Sequence, residues 1–332
     1  MYTDEDLTVA VKAGIFTEQS VDAFRKHNAE LKNTVAVDEE NFQLITSFND
    51  IYVVIACALV LMSAAWFGNS ISNVTGALVF AASSWGLAEY FVLKRHMALP
   101  AIALLLSFLG GVLATTLFAL GGISEMNLLI SGAVTAFAAW VHWRRFEVPI
   151  TVAGGTGAAI GCLIAITLAN TNADIKEWFV PALFLSGIAT FIYAMYWDSA
   201  DRLRKTRKSD VAFWLHLLSA PLIVHPIFSV LGIFEGNSGL PEAIAVMLLY
   251  IGMAFVSVAI DRRAIMVSGL AYVLYAISTL LKTYGVEASS SAITGIIIGG
   301  ALLLLSVYWH ACRAVFFTVL PQKFQAYLPP LK

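Results

Sequence analysis

From Asp50 onward the chain alternates long apolar runs with short polar breaks, and the runs have the length a helix needs to cross a membrane, about 20 residues. Ten such cores are expected, at 51–69, 71–93, 99–120, 126–143, 149–169, 178–197, 211–234, 242–260, 264–281 and 292–309. Residues 1–48 carry a different pattern. Thr3 before Asp4, Glu5 and Asp6 makes a capped acidic helix start, and Gly14 is placed to end that helix. Thr17 with Glu18 and Gln19 opens a second helix to about Leu31, with Val21, Phe24 and Leu31 on one face. Two helices with so little apolar surface cannot hold a core alone. They are expected to pack on each other, on the membrane part or on a cytosolic protein partner. The tail, residues 311–332, sets Phe316, Phe317, Phe324 and Tyr327 among few charges and is expected along the membrane interface. The expected fold class is therefore all-α, a polytopic integral membrane protein with about ten transmembrane helices. Residues 1–48 form an N-terminal helical cap, 49–310 the bundle and 311–332 the tail.

The polar breaks alternate in charge. Lys94 and Arg95, Arg144 and Arg145, the run from Arg202 to Lys208, Arg262 and Arg263, and finally Arg313 and Lys323 fall at one end of the bundle, whereas the opposite loops carry Lys176 and Lys282. By the positive-inside rule the basic loops and both termini are cytoplasmic. Trp66, Trp178, Trp143, Trp197 and Trp309 fall near the expected interfaces, as an aromatic belt would. Composition agrees: 59% of the 332 residues are hydrophobic and 13% charged, where a soluble domain carries about 25% charge. The acidic start MYTDEDLTVAVKAG lacks the basic and apolar regions of a secretory signal, so no cleavage there is expected. A net charge of -2 gives no basic surplus for nucleic acid.

Segments ending in an aromatic or polar pair followed by basic residues recur: EYFVLKRH at 89–96, WVHWRRF at 140–146, YWDSADRLRK at 196–205, VAIDRR at 258–263 and YWHACR at 308–313. Their spacing is one helical hairpin per unit, which positive-inside anchoring also produces. Small-xxx-small spacing in AGGTGAAIG and GIIIGG assigns Gly157, Gly161, Gly295 and Gly299 to helix packing. The first run has no preceding strand and is not a nucleotide loop. Cys57, Cys162 and Cys312 lack C-x-x-C spacing and read as buried hydrophobes, so neither a metal site nor a cofactor is expected from them.

The most compromised run is Ser209 to Phe234, SDVAFWLHLLSAPLIVHPIFSVLGIF. Ionisable groups and prolines are costly in hydrocarbon and persist where they face protein, a cavity or a ligand. Counting from Asp210, His216 lies roughly 9 Å and His225 roughly 22 Å from the basic end, with Pro221 near the midplane. A helix broken at Pro221 would expose carbonyls for binding, as discontinuous transporter helices do. Glu89, the carboxylate within the second core, lies at a depth similar to that of His216, and if the two helices adjoin they form a proton-sensitive couple. The alternative is that Glu89 snorkels and His216 bonds a carbonyl. His142 and His310 sit at inner helix ends and are expected to be interfacial. Ser83, Ser84 and Ser219 read as packing residues, and no catalytic motif appears.

AVKAGIFTEQSVDAF followed by ENFQLITSFNDIYVVIA resembles the opening of bacterial membrane proteins of a family of unknown function, through Gly14-Ile15 and Glu18-Gln19. The resemblance covers about the first fifth of the chain. It implies a multi-pass protein of the bacterial inner membrane and assigns no activity. The functional expectation is transport of a small solute or ion through a site around Glu89, His216, Pro221 and His225. The alternative is a sensor or scaffold acting through the cap and the basic loop DRLRKTRKSD, with membrane lipids as surroundings in either case. Nothing in the sequence sets the oligomeric state.

Overall fold

A computed structural model describes residues 4–31, 48–170, 175–204, 206–232, 240–283, 290–319, 321, 325 and 327–331. The described residues form α-helices and no strands: α1 (Asp4–Lys12), α2 (Glu18–Leu31), α3 (Phe48–Asn69), α4 (Asn73–Phe91), α5 (Ala98–Ala119), α6 (Glu125–Phe146), α7 (Ile150–Asn170), α8 (Ile175–Ala200), α9 (Arg207–Val230), α10 (Leu240–Ile260), α11 (Ala264–Thr283), α12 (Ser290–Val307) and α13 (Trp309–Val319). Each expected apolar core falls on one helix from α3 to α12. Among the described residues six helices, α3 and α5 to α9, are long and apolar enough to cross a membrane. A seventh is α12 taken together with α13, across a bend of 70°. That is the make-up of a multi-pass membrane protein.

The N-terminal pair forms as its caps dictate. Thr17 Oγ1 accepts from the Ser20 amide at 3.2 Å while Ser20 Oγ accepts from the Thr17 amide at 3.0 Å, a reciprocal cap for α2. Gly14, at φ +72°, ends the turn after α1. Val21 is buried, whereas Phe24 is half exposed. Leu31 closes α2, and the burial of its side chain lies outside what is described.

Helices α3 to α6 share one core around Cys57, Leu61, Leu104, Leu105 and Phe146. A second core joins the end of α9 to α10–α13 through Val224, Phe228, Val246, Val273 and Trp309. Ala153, Ala194, Val211 and Leu215 connect the two through α7, α8 and α9. The central element is α9: half of its apolar stretch is buried, against 17–33% for the other five candidate spans. Four turns at the basic end each place a non-glycine residue in the left-handed region, His96 (φ 52°), Glu147 (51°), Arg204 (53°) and Asp261 (62°). Turns at the opposite end use Gly121, Gly122 and Gly232 there instead, at no steric cost.

Three expectations are corrected. Helix α9 does not break at Pro221: it runs from Arg207 to Val230 through both Pro221 and Pro226. The prolines remove two amide donors, but neighbouring helices hold such a segment helical, and α9 is held tightly here. A Cβ added at Gly187 of α8 would lie 2.8 Å from the Leu222 carbonyl carbon and 2.9 Å from the Ile223 amide nitrogen, so the two backbones touch between the prolines. Second, among the described residues Gly157, Gly161, Gly295 and Gly299 make no close approach, because a Cβ at any of them would meet nothing within 4 Å. Close approaches are at Gly187, at Gly111 against Ala81, at Gly132 against Cys162, at Gly68 against Gly76, at Gly269 against Met253 and, within AGGTGAAIG itself, at Gly154 against Leu109 and Gly155 against Ala139. Third, Trp309 is not an interfacial residue: it is buried at 1% exposure, whereas Trp66 is exposed.

Gly187→Ala should cost about 1–3 kcal/mol of stability, since backbone atoms must move. Gly161→Ala should stay within about 0.5 kcal/mol. Unfolding in mixed micelles checks both, and equal effects would contradict the packing described.

Candidate functional site

The basic end of the bundle holds charges that most membrane helices exclude. Asp198, near the end of α8, is 2% exposed and faces the first three turns of α9. Its Oδ2 accepts from His216 Nε2 at 3.0 Å and from Arg262 Nε at 3.3 Å, while its Oδ1 accepts from Arg262 Nη2. Arg262 Nη2 also donates to the carbonyl oxygen (3.0 Å) and the hydroxyl (2.9 Å) of Ser209. The turn between α10 and α11 aims Arg262 inward because Ser257 clamps it: the Arg262 amide donates to Ser257 O and the Ser257 hydroxyl donates to Arg262 O. Against an ionised carboxylate His216 Nε2 must carry the hydrogen. The neutral ring then has a bare Nδ1, which is buried and meets no hydrogen-bond partner among the described residues, and the ring edge rests on Phe191 at 5.3 Å.

A second carboxylate completes the cluster. Asp261 Oδ1 accepts from Trp309 Nε1 at 2.8 Å, and its Oδ2 faces Arg313 Nη1 at 3.2 Å and Arg204 Nη1 at 3.4 Å. Arg204 Nη2 donates to Ile260 O at 2.9 Å. Arg263 lies over the Trp309 ring at 5.0 Å. Burial above all, with Arg262 and Arg313 nearby, pushes the Arg204 guanidinium down to about 10, so it stays charged at neutral pH. In the same turn Asp201 Oδ2 accepts from the amide and hydroxyl of Thr206, both at 2.7 Å, which fixes the entry to α9. Taking such charges from water costs several kcal/mol per ion, and only this density of partners offsets it.

The remaining candidate residues are dispersed. Glu89 does not pair with His216: it receives two hydrogen bonds from Arg145, at 2.9 and 2.7 Å, and that pair is largely exposed. Such a surface pair contributes little. His225 lies toward the far end of α9, its Nδ1 3.3 Å from Tyr272 Oη. Pro221 is half-buried between the two histidines. His142 is enclosed by Trp85, Phe108 and Phe146, with Thr151 Oγ1 3.3 Å from Nδ1, and His310 is exposed. Ser84 and Ser219 donate to carbonyls of their own helices. The described residues contain no group of three or more His, Cys, Asp or Glu side chains placed to hold a metal ion. A cavity of about 200 Å³ between α3, α4 and α5 is lined by Ala65, Asn69, Gly76, Phe80, Gly111 and Phe118 among others, with no ionisable group.

The sequence singles out His216 as an ionisable group inside an apolar run, but not its partner Asp198, nor the pairing of Arg262 with Asp198 and of Arg313 with Asp261. Their signal was present in YWDSADR and VAIDRR, where an aspartate stands immediately past an apolar run. No family model matches the chain, and no curated protein or solved structure matches it.

Asp198→Leu should cost about 3–5 kcal/mol, because it strands Arg262. Adding Arg262→Met should restore much of that loss. Unfolding free energies of the single and double variants in mixed micelles check this, and a neutral single variant would contradict a structural role for the pair.

Proposed function

We propose that this chain is a ten-span protein of the bacterial inner membrane, with its basic end and both termini cytoplasmic. It moves a small solute or ion, and Asp198, His216 and Arg262 form the proton-responsive centre of that movement. What supports this reading is a single feature: an imidazole wholly buried on the central helix, bonded through one nitrogen to a carboxylate that also holds an arginine, with the other nitrogen meeting no partner among the described residues. A proton arriving at His216 Nδ1 adds a positive charge beside Arg262 and weakens the competition of Arg262 for Asp198. Such an exchange between two partners is a two-state element that solute binding can bias. Pro221, Pro226 and His225 lie further along the same helix, so a change at His216 can pass along α9. Glu89 takes no part, being bound to Arg145.

A second reading, a non-transporting sensor or scaffold, draws on the completeness of the cluster, since Asp198 and Asp261 are both fully partnered inside the protein. Proteoliposomes loaded with a pH-sensitive dye separate the two. Under imposed gradients of amino acids, organic acids and inorganic cations, at least one solute should drive proton movement. His216→Gln should slow it tenfold or more while keeping the unfolding midpoint. No proton-linked flux with any solute, from correctly folded protein, would favour the scaffold.

A further inference from the structure

Beyond α13 the chain returns across the basic end. Gln325 Nε2 donates to Phe317 O at 2.8 Å, and Leu328 is buried in a pocket formed by Ala220, Ile260, Ile265 and Phe317. Two arginines hold this tail through its carbonyl oxygens. Arg202 donates from Nε to Leu328 O at 2.9 Å and from Nη2 to Gln325 O at 3.2 Å. Arg313 donates from Nη2 to Pro329 O at 2.7 Å and from Nη1 to Pro330 O at 3.3 Å. The two prolines bring acceptors without any amide donor, so towards the arginines the segment offers oxygen atoms alone.

These are weak partners for a guanidinium, whose fork matches a carboxylate or phosphate and binds it roughly twice as strongly as a neutral acceptor. Among the described residues Arg202 is held by the two carbonyls alone. Arg313 is 2% exposed, shares the Oδ2 atom of Asp261 with Arg204, and keeps a buried Nε–H that no acceptor meets. A buried donor left over beside a shared carboxylate marks a place short of negative charge.

We infer that Arg202 and Arg313 form a phosphate-binding site in which the carbonyls of Gln325, Leu328, Pro329 and Pro330 stand as an internal ligand, and that a phosphate group displaces them to occupy it. The phosphate belongs either to a free solute or to the headgroup of an anionic lipid. Nothing in the inference depends on whether the protein moves a solute.

The full chain in phosphatidylcholine nanodiscs tests it by amide hydrogen exchange at Tyr327, Leu328 and Leu331. Inorganic phosphate should raise exchange there saturably, and chloride at equal ionic strength should not. Replacing phosphatidylcholine with phosphatidylglycerol, without added phosphate, should raise exchange if the lipid headgroup is the ligand and leave it unchanged if the ligand is a free phosphate. A chain ending at residue 324 should bind inorganic phosphate about tenfold more tightly than the full chain, the tail no longer competing. If that chain does not fold, the exchange measurement on the full chain decides. Tail exchange insensitive to both phosphate and phosphatidylglycerol would overturn the inference, as would equal phosphate affinity with and without the tail.

Discussion

The Asp198–Arg262 ion pair is the contact on which the basic end depends. Neither charge can be left alone in apolar surroundings, because an unpaired buried ion costs more than any single packing contact supplies. Each is therefore surrounded, Asp198 by His216 and Arg262, and Arg262 by Asp198 and Ser209. Meeting that requirement forces three elements together: the end of α8, the start of α9 and the turn between α10 and α11. Around the same rim Glu147 reaches Arg207 at 2.8 Å and Glu89 reaches Arg145, so α4, α6 and α9 are tied at that end as well. Exposed and screened, those two pairs orient more than they stabilise. The weight falls on the buried set.

A packed cluster of this kind has few ways to change. Its carboxylates are shared, so a change at one partner alters the competition among the others. His216 and Arg262 compete for one aspartate, and Arg204 and Arg313 compete for another. The close backbone contact at Gly187 binds α8 to α9 about three turns along from this competition. Asp198 and His216 therefore travel together if either helix moves, and the partner able to part from them is Arg262.

Much of the architecture could be read from residue patterns, because period and length are one-dimensional properties. Each apolar core found its helix, and the caps at Thr17 and Gly14 behaved as their chemistry requires. The position of His216 inside an apolar helix was legible for the same reason. Its partner was not, since depth says nothing about which face of a helix meets which neighbour. Glu89 turns to α6 instead. Asp198 and Asp261 were overlooked because a core drawn to end at the first charge excludes that charge: the expected runs stopped at 197 and 260, while α8 continues to Ala200 and the ion cluster begins there. Glycine spacing misled in a related way. In AGGTGAAIG the close approaches fall at Gly154 and Gly155, against Leu109 and Ala139, and not at Gly157 or Gly161; GIIIGG meets nothing among the described residues, while backbones also meet at Gly187 and Gly111, where no short motif draws attention.

The position of Trp309 and Arg313 carries a consequence for how the molecule is made. Asp261 precedes Trp309 by 48 residues, yet its carboxylate depends on Trp309 and on Arg313 beyond it. During synthesis the earlier helices emerge while that aspartate lacks two of its eventual partners. The half-built chain is the species most exposed to misassembly and to proteolysis, and completion of the ionic cluster by the last helix is a natural checkpoint at which the protein becomes resistant to both.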